Sequence, residues 1–232
     1  MATIVSHEKK FIFIHIPKTA GRSLDNILSK YASTSWMNHK LIRSALDVIK
    51  SFTGLDIPSY TKGKIVPEHS SIARLQISGY DQEIETYYKF CVVRNPWDRA
   101  RSEYLYQHHY ARSRFFRKDY WLTRNGTFMD WLTKAEKDMK LGLHDTQKSL
   151  ICDLTTGMPI MDKIIPLEKL NIDFPEICDK IGIPRQSVPR INVGGKPADL
   201  VMTNDEINMV AKLYKEDLKL FENLGIHYSI PK

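Results

Sequence analysis

Cysteine is scarce, with three residues at positions 91, 152 and 178 among 232. Their odd number and wide spacing, with no Cys-x-x-Cys pair and no Cys/His cluster, exclude a disulfide framework and a zinc-finger-type metal centre. Buried, reduced thiols are the expectation. Long apolar runs are also missing. No window approaches the roughly 18 apolar residues of a membrane span. Residues 11–16 are too short for the core of a secretory leader, and His7, Glu8, Lys9 and Lys10 interrupt the apolar character just before them. A cytoplasmic chain with no membrane span is expected. Acidic residues are outnumbered, 27 against 34 Lys and Arg, for a net charge of +7. That balance favours an anionic partner. Neither zinc-finger spacing nor a ribonucleoprotein motif is present, so nucleic acid is not the expected anion. Repeats and low-complexity tracts are absent too. What remains is the composition of an ordinary globule, 42% apolar and 26% charged, long enough to bury one core as a single domain over residues 1–232.

The most informative segment is Phe11-Ile12-Phe13-Ile14-His15-Ile16-Pro17-Lys18-Thr19-Ala20-Gly21-Arg22-Ser23-Leu24. A short run of β-formers enters a turn. An amphipathic helix follows, with Leu24, Ile27, Leu28 and Tyr31 at helical spacing. Strand, tight loop and helix together aim backbone N–H groups and a positive helix end at an anion. Lys18, Thr19, Arg22 and Ser23 add side-chain donors, and Gly21 permits close backbone approach. His15 reads as a packed or loop-bracing histidine.

The loop is not an ordinary nucleoside triphosphate loop, G-x-x-x-x-G-K-[ST]. Aligning Gly21-Arg22-Ser23 with the end of that motif puts Ile16 where its first glycine belongs and Arg22 in place of its lysine. The next convincing strand, residues 88–93, ends in Arg94 rather than in the aspartate a second magnesium ligand would require. The expectation is an anion cradle with no metal. That suits sulfuryl transfer, because the moving group carries less charge than a phosphoryl group and Lys and Arg can neutralise it. A second constellation begins at Arg94. Phe90-Cys91-Val92-Val93-Arg94-Asn95-Pro96-Trp97-Asp98-Arg99 reads as a buried strand, a turn, and a helix with Pro96 near its first position. Arg94 and Ser102, eight residues apart, can converge on one phosphate. Arg99 and Arg101 read as surface or ion-pair residues.

At these two segments the chain resembles the P-loop sulfotransferases, which use 3′-phosphoadenosine 5′-phosphosulfate. Residues Ile16, Pro17, Lys18, Thr19, Ala20, Gly21, Arg22 and Ser23 look like their 5′-phosphosulfate loop, and Arg94 through Ser102 like their 3′-phosphate site. The forms His-Ile-Pro-Lys-Thr-Ala-Gly and Val-Arg-Asn-Pro-Trp-Asp-Arg are most similar to the carbohydrate 2-O-sulfotransferase branch and its bacterial relatives. Weaker echoes are Glu68-His69-Ser70, Gln147, Leu167-Glu168-Lys169-Leu170 and Val188-Pro189-Arg190-Ile191-Asn192. The resemblance implies a P-loop-type three-layer α/β sandwich and that sulfate donor as co-substrate, with no metal. It also implies His69 as general base, since a histidine after the second strand plays that part in related carbohydrate enzymes. Glu68 is the rival base; adjacent strand residues face opposite ways, so only one of the two can face the cleft. Gly194-Gly195-Lys196 resembles the family's mobile nucleotide-closing loop, which would bring Lys196 to the 3′-phosphate.

Elsewhere, residues 41–52 read as a helix and 64–67 as a short strand delivering Glu68 and His69. Ser70 or Ser71 caps a helix over 72–77, and a long helix starts at Trp97. Thr127 caps a helix over 128–139, and residues 145–154 make another. Residues 162–166 form a strand, and Thr203-Asn204-Asp205-Glu206 is a capping box. Its helix carries Ile207, Val210, Ala211, Tyr214, Leu218 and Phe221 on one face and ends before Gly225. Strands alternating with helices predict a parallel sheet covered on both faces, with ligands beyond the carboxyl ends of its strands. From Tyr104 to Lys118, aromatics mix with cations, including Tyr106, His108, Arg112, Arg114 and Arg117. Sugar rings stack on the former and anionic groups pair with the latter, so the segment offers a site for an anionic or polyhydroxylated glycan acceptor; the alternative is a helix with a packed aromatic face and a solvated basic face. The alternatives are a P-loop kinase or a nucleotide-binding protein without catalysis.

Overall fold

The computed structural model describes residues 3–32, 70–113, 126–140, 145–189 and 200–230. Its centre is a sheet of four strands: β1 (Ile4–Ser6), β2 (Phe11–Ile14), β3 (Tyr88–Val93) and β4 (Lys163–Pro166), in that spatial order. β2, β3 and β4 are parallel, with Phe13 beside Phe90 and Cys91 beside Ile164. β1 runs antiparallel to β2.

The pleat sorts the strand residues into two cores. Phe11, Phe13, Phe90, Val92 and Ile165 point to one face. There they meet Leu24, Ile27 and Leu28 of α1 (Gly21–Leu28), and Leu170, Phe174, Ile177 and Ile181 of α7 (Leu170–Ile181). Val5, Ile12, Ile14, Cys91 and Val93 point to the other face. They meet α2 (Ile72–Ile77), α3 (Asp81–Thr86), α6 (Gln147–Ile151) and α9 (Lys215–Asn223) through Leu75, Ile84, Ile151 and Phe221. Burial on both faces explains why β2 and β3 are continuous apolar runs rather than alternating ones. Each such side chain is worth about 1.5–3 kcal/mol relative to exposure. A third cluster joins α4 (Pro96–Ser113), α5 (Phe128–Lys140) and α8 (Asn204–Leu213) through Trp97, Tyr104, Trp131 and Val210.

The expected caps form. Ser71 Oγ accepts from the Arg74 N–H at 3.1 Å. Thr127 and Asp130 bond reciprocally at the start of α5, and Thr203 and Glu206 complete the capping box of α8. All three cysteines are buried free thiols. The predicted helix 41–52 and strand 64–67 lie outside the described residues.

Several elements differ from the sequence reading. The first strand stops at Ile14, which leaves His15 in the loop. β1 pairs on the outer edge of β2 through a segment whose polar turn hid it. α3 is short and mostly polar. α7 contains Pro175 in its interior, and a proline there ordinarily costs about 3 kcal/mol. Four apolar contacts on the sheet outweigh it. The helix read over 145–154 closes at Ile151, because Cys152 bridges to Pro159 instead. The terminal helix is broken at Tyr214, with φ −105° and ψ 27° between α8 and α9. The break sends Val210 and Tyr214 into the third cluster and Phe221 onto the sheet, which one straight helix cannot do.

Candidate active site

The loop between β2 and α1 crosses the carboxyl edge of the sheet. Its backbone is left-handed at Lys18, φ 69°, and at Ala20, φ 63°. Neither is glycine, so each stores roughly 1–3 kcal/mol of strain. Backbone of this kind turns successive N–H groups toward one concavity, and the first turn of α1 adds N–H groups that no intrahelical carbonyl satisfies. Thr19 is fully buried, and its hydroxyl donates to the Ile16 carbonyl at 2.8 Å. That proton therefore holds the loop, and what Thr19 can offer an anion is its backbone N–H. Gly21 has a steric reason. A Cβ placed there would lie 1.7 Å from His15 Nε2. His15 is 2% exposed and stacks on Phe13, so it braces the loop from beneath. Ser23 is buried and Arg22 is exposed.

The second motif sits beside the first. The Arg94 guanidinium donates to the Lys18 carbonyl at 3.2 Å, tying the two anion-facing segments together. Gln147, on α6, clamps the Arg94 backbone from both sides. Its Oε1 accepts from the Arg94 N–H at 2.9 Å, and its Nε2 donates to the Arg94 carbonyl at 2.8 Å. Asp217 of α9 then fixes α6 by accepting from the N–H groups of Gln147 and Lys148 at 3.0 and 2.7 Å. Asn95 donates to the Ser229 carbonyl at 2.9 Å, which lays the residues after α9 under the same turn. Tyr228 Oη is buried there with no hydrogen-bond partner among the described residues. Ser102 is half-buried on α4. Asp98 pairs with Arg101 at 2.8 Å, which leaves Arg94 out of that ion pair.

Arg99 departs from expectation. It is 6% exposed and donates to the carbonyls of Pro17 at 3.2 Å and Asp145 at 3.4 Å. It is a buried brace of the loop rather than a surface residue.

The electrostatics match an anion site. Burial pushes the Lys18 amine below the ordinary lysine range; Glu103 opposes this, and the nearby Arg94 and Arg22 add to it. Burial likewise lowers Arg94, against the pull of Asp98. Two cations held in partly dry surroundings are ready to be satisfied by an incoming anion. Glu68, His69 and Lys196 lie outside the described residues. The residue after His69 is placed: the Ser70 carbonyl accepts from Thr3 Oγ1 at 2.7 Å, and Thr3 Oγ1 also accepts from the His15 N–H at 3.4 Å. No group of three or more potential metal ligands stands together among the described residues.

A model of the Sulfotransferase family matches residues 1–223. The chain belongs to that family. It is therefore a transferase. Among solved structures, a sulfotransferase from Alicyclobacillus acidocaldarius is similar at 17% identity, with 95% of this chain and 96% of that chain covered and a TM-score of 0.46. No curated protein matches significantly. No helix among the described residues of this sulfotransferase is long and apolar enough to cross a membrane.

Four contributors were missed or undervalued in the sequence: Gln147 as a clamp, Arg99 as a brace, Asp217 as the anchor of α6, and Tyr228 beneath Arg94. Gln147 carried a faint signal through its family resemblance. The other three act across gaps of sequence that no local pattern spans.

Proposed function

We propose that the enzyme moves the sulfuryl group of 3′-phosphoadenosine 5′-phosphosulfate to a hydroxyl of a carbohydrate acceptor. The observation that supports this most is the junction of two anion sites at neighbouring strand ends, joined by the bond from Arg94 to the Lys18 carbonyl. A donor with phosphates at both ends of one ribose suits such a pair. The donor set fits it: a strained N–H cup, Lys18, Arg22 and Ser23 for the 5′ end, and Arg94 and Ser102, with Lys196, for the 3′ end. Pro17, Thr19, Ala20 and Gly21 would contribute backbone. The reading takes residues 1–232 as one domain with the P-loop-type three-layer arrangement.

In the reaction, the acceptor oxygen bonds to sulfur as the sulfur–oxygen bond to the 5′-phosphate breaks. His69 takes the acceptor proton, since imidazole titrates near the operating pH. Lys18 stabilises the charge that develops on the departing phosphate oxygen.

Thermal unfolding without magnesium tests this. Adenosine 3′,5′-bisphosphate at about 100 times its dissociation constant adds about 2.7 kcal/mol. Adenosine 5′-phosphate, lacking the 3′ group, should stabilise far less. Equal stabilisation by the two would remove the role given to Arg94 and Ser102. Radiolabelled donor offered with a panel of glycans, phenols and simple alcohols then identifies the acceptor class.

A further inference from the structure

Lys18 does not reach into open solvent. Its Nζ lies 4.0 Å from the centroid of the Tyr106 ring, on the third turn of α4. Tyr106 is 40% exposed, and a cation over an aromatic face at that distance is held by the ring quadrupole even at a partly exposed site. The same helix brings Glu103 one turn earlier. Gln107 donates to Glu103 Oε1 at 3.0 Å, and Trp131 of α5 donates to Gln107 Oε1 at 3.0 Å. Trp131 is 4% exposed in the third core cluster. This face of α4 is thus fixed from the core outward, through Trp131 and Gln107 to Glu103.

We propose that Tyr106 is a positioning residue for Lys18, its ring holding the lysine amine in place for the sulfuryl transfer. The proposal rests on the reading of Lys18 as the group that stabilises the departing phosphate. Lys18 has a left-handed backbone and a long, flexible side chain. A wall on α4 restricts that side chain, so that less rotamer freedom is lost when the reaction begins. The hydroxyl of Tyr106 has no part in this, whereas the ring face does. Among the described residues, the charged groups that face Lys18 are Glu103 from α4, Arg94 from the end of β3 and Arg22 from α1. Glu103 favours the charged amine and the arginines disfavour it. The ring adds to the favourable side, and its removal leaves the lowering by burial and the arginines less opposed.

The test uses the full chain with Tyr106→Phe and Tyr106→Leu. The first readout is independent of catalysis: the rate at which acetic anhydride acylates Lys18 at a series of pH values, read by mass spectrometry of its peptide. Tyr106→Leu should lower the Lys18 titration midpoint by about 0.4–1.5 pH units, and Tyr106→Phe should leave it in place. The second readout is turnover. Tyr106→Leu should lower kcat about 3- to 30-fold, with the Phe variant near wild type. If Tyr106→Leu fails to fold, Tyr106→Met, which also lacks a π face, takes its place. An unchanged midpoint in a folded variant without the ring overturns the proposal. A shifted midpoint in an enzyme that transfers sulfate to no acceptor overturns the sulfuryl-transfer reading instead and leaves the Lys18–Tyr106 contact standing.

Discussion

The two anion motifs occupy neighbouring strand ends, yet they are held by opposite means. The β2–α1 loop is shaped mostly from within, with Arg94 and Arg99 holding only its Lys18 and Pro17 carbonyls from outside. Its shape comes from left-handed Lys18 and Ala20, the internal bond from Thr19 to Ile16, and a glycine packed on His15 six residues earlier. The β3–α4 turn has little of its own. Arg94 is clamped by Gln147, Gln147 is set by Asp217, and Asn95 is tied to Ser229. The difference separates strain stored locally from order imported over long sequence distances. On the proposed reading it also divides the labour, with the first loop holding the group that reacts and the second the phosphate that anchors.

The sharpest way to break this comparison is to remove the amine that the proposed reaction relies on. Lys18→Ala should lower kcat about 10²–10³-fold, the scale of losing one charge-stabilising donor. Arg94→Ala should instead act mainly on nucleotide affinity, with discrimination between 3′,5′-bisphosphate and 5′-phosphate lost. Steady-state kinetics with calorimetric titration distinguish the two, and a matching loss of kcat in both variants would erase the proposed division.

The next effect is on stability. Gly21→Ala should cost about 3 kcal/mol, the upper part of the overpacking range, because the new methyl meets a buried ring. His15→Ala combined with Gly21→Ala should recover part of that loss, since neighbouring sites couple. Thermal unfolding measures both, at about 2–4 °C per kcal/mol for a chain of this size. Gln147→Ala should cost about 2 kcal/mol by leaving the Arg94 N–H and carbonyl unpaired. Its nucleotide defect should be confined to ligands that carry a 3′-phosphate.

The same contrast governs what could be seen in the sequence. The strand, loop and helix of the first motif were legible because they are contiguous, whereas the inward turn of the Thr19 hydroxyl and the braces from Arg94 and Arg99 were not. Arg94 and Ser102 were legible as types at a spacing, but their supports were not. Asp217 is 70 residues from Gln147, and Ser229 is 134 from Asn95. Pairings at that range depend on how helices land on a sheet. Arg99 was misread for the same reason. An arginine in the first turns of a helix ordinarily snorkels outward, and only the approach of the Pro17 and Asp145 carbonyls turns it inward. α7 escaped detection because its proline outweighed its apolar spacing as a local signal.

The smallest expected effect concerns pH. Burial lowers the folded-state pKa of Lys18 below its unfolded value near 10.5. Between the two, the unfolded chain binds more protons, so the nucleotide-free protein should gain stability as pH rises through that window. Lys18→Met removes this dependence. Its unfolding temperature should exceed wild type near neutrality, and the gap should narrow toward pH 10. A constant gap across the range would mean that the amine is not held at an electrostatic cost.

The bond from Asn95 to Ser229 has a consequence in time as well as in space. A chain made from its amino terminus presents β2, the first loop and β3 early. The turn after β3 lacks its supports until the stretch from Asp217 to Ser229 has left the ribosome. Until then the second motif lacks the clamp and the tie that shape it. On the proposed reading, binding that needs both motifs therefore reports a chain that has folded at least as far as Ser229.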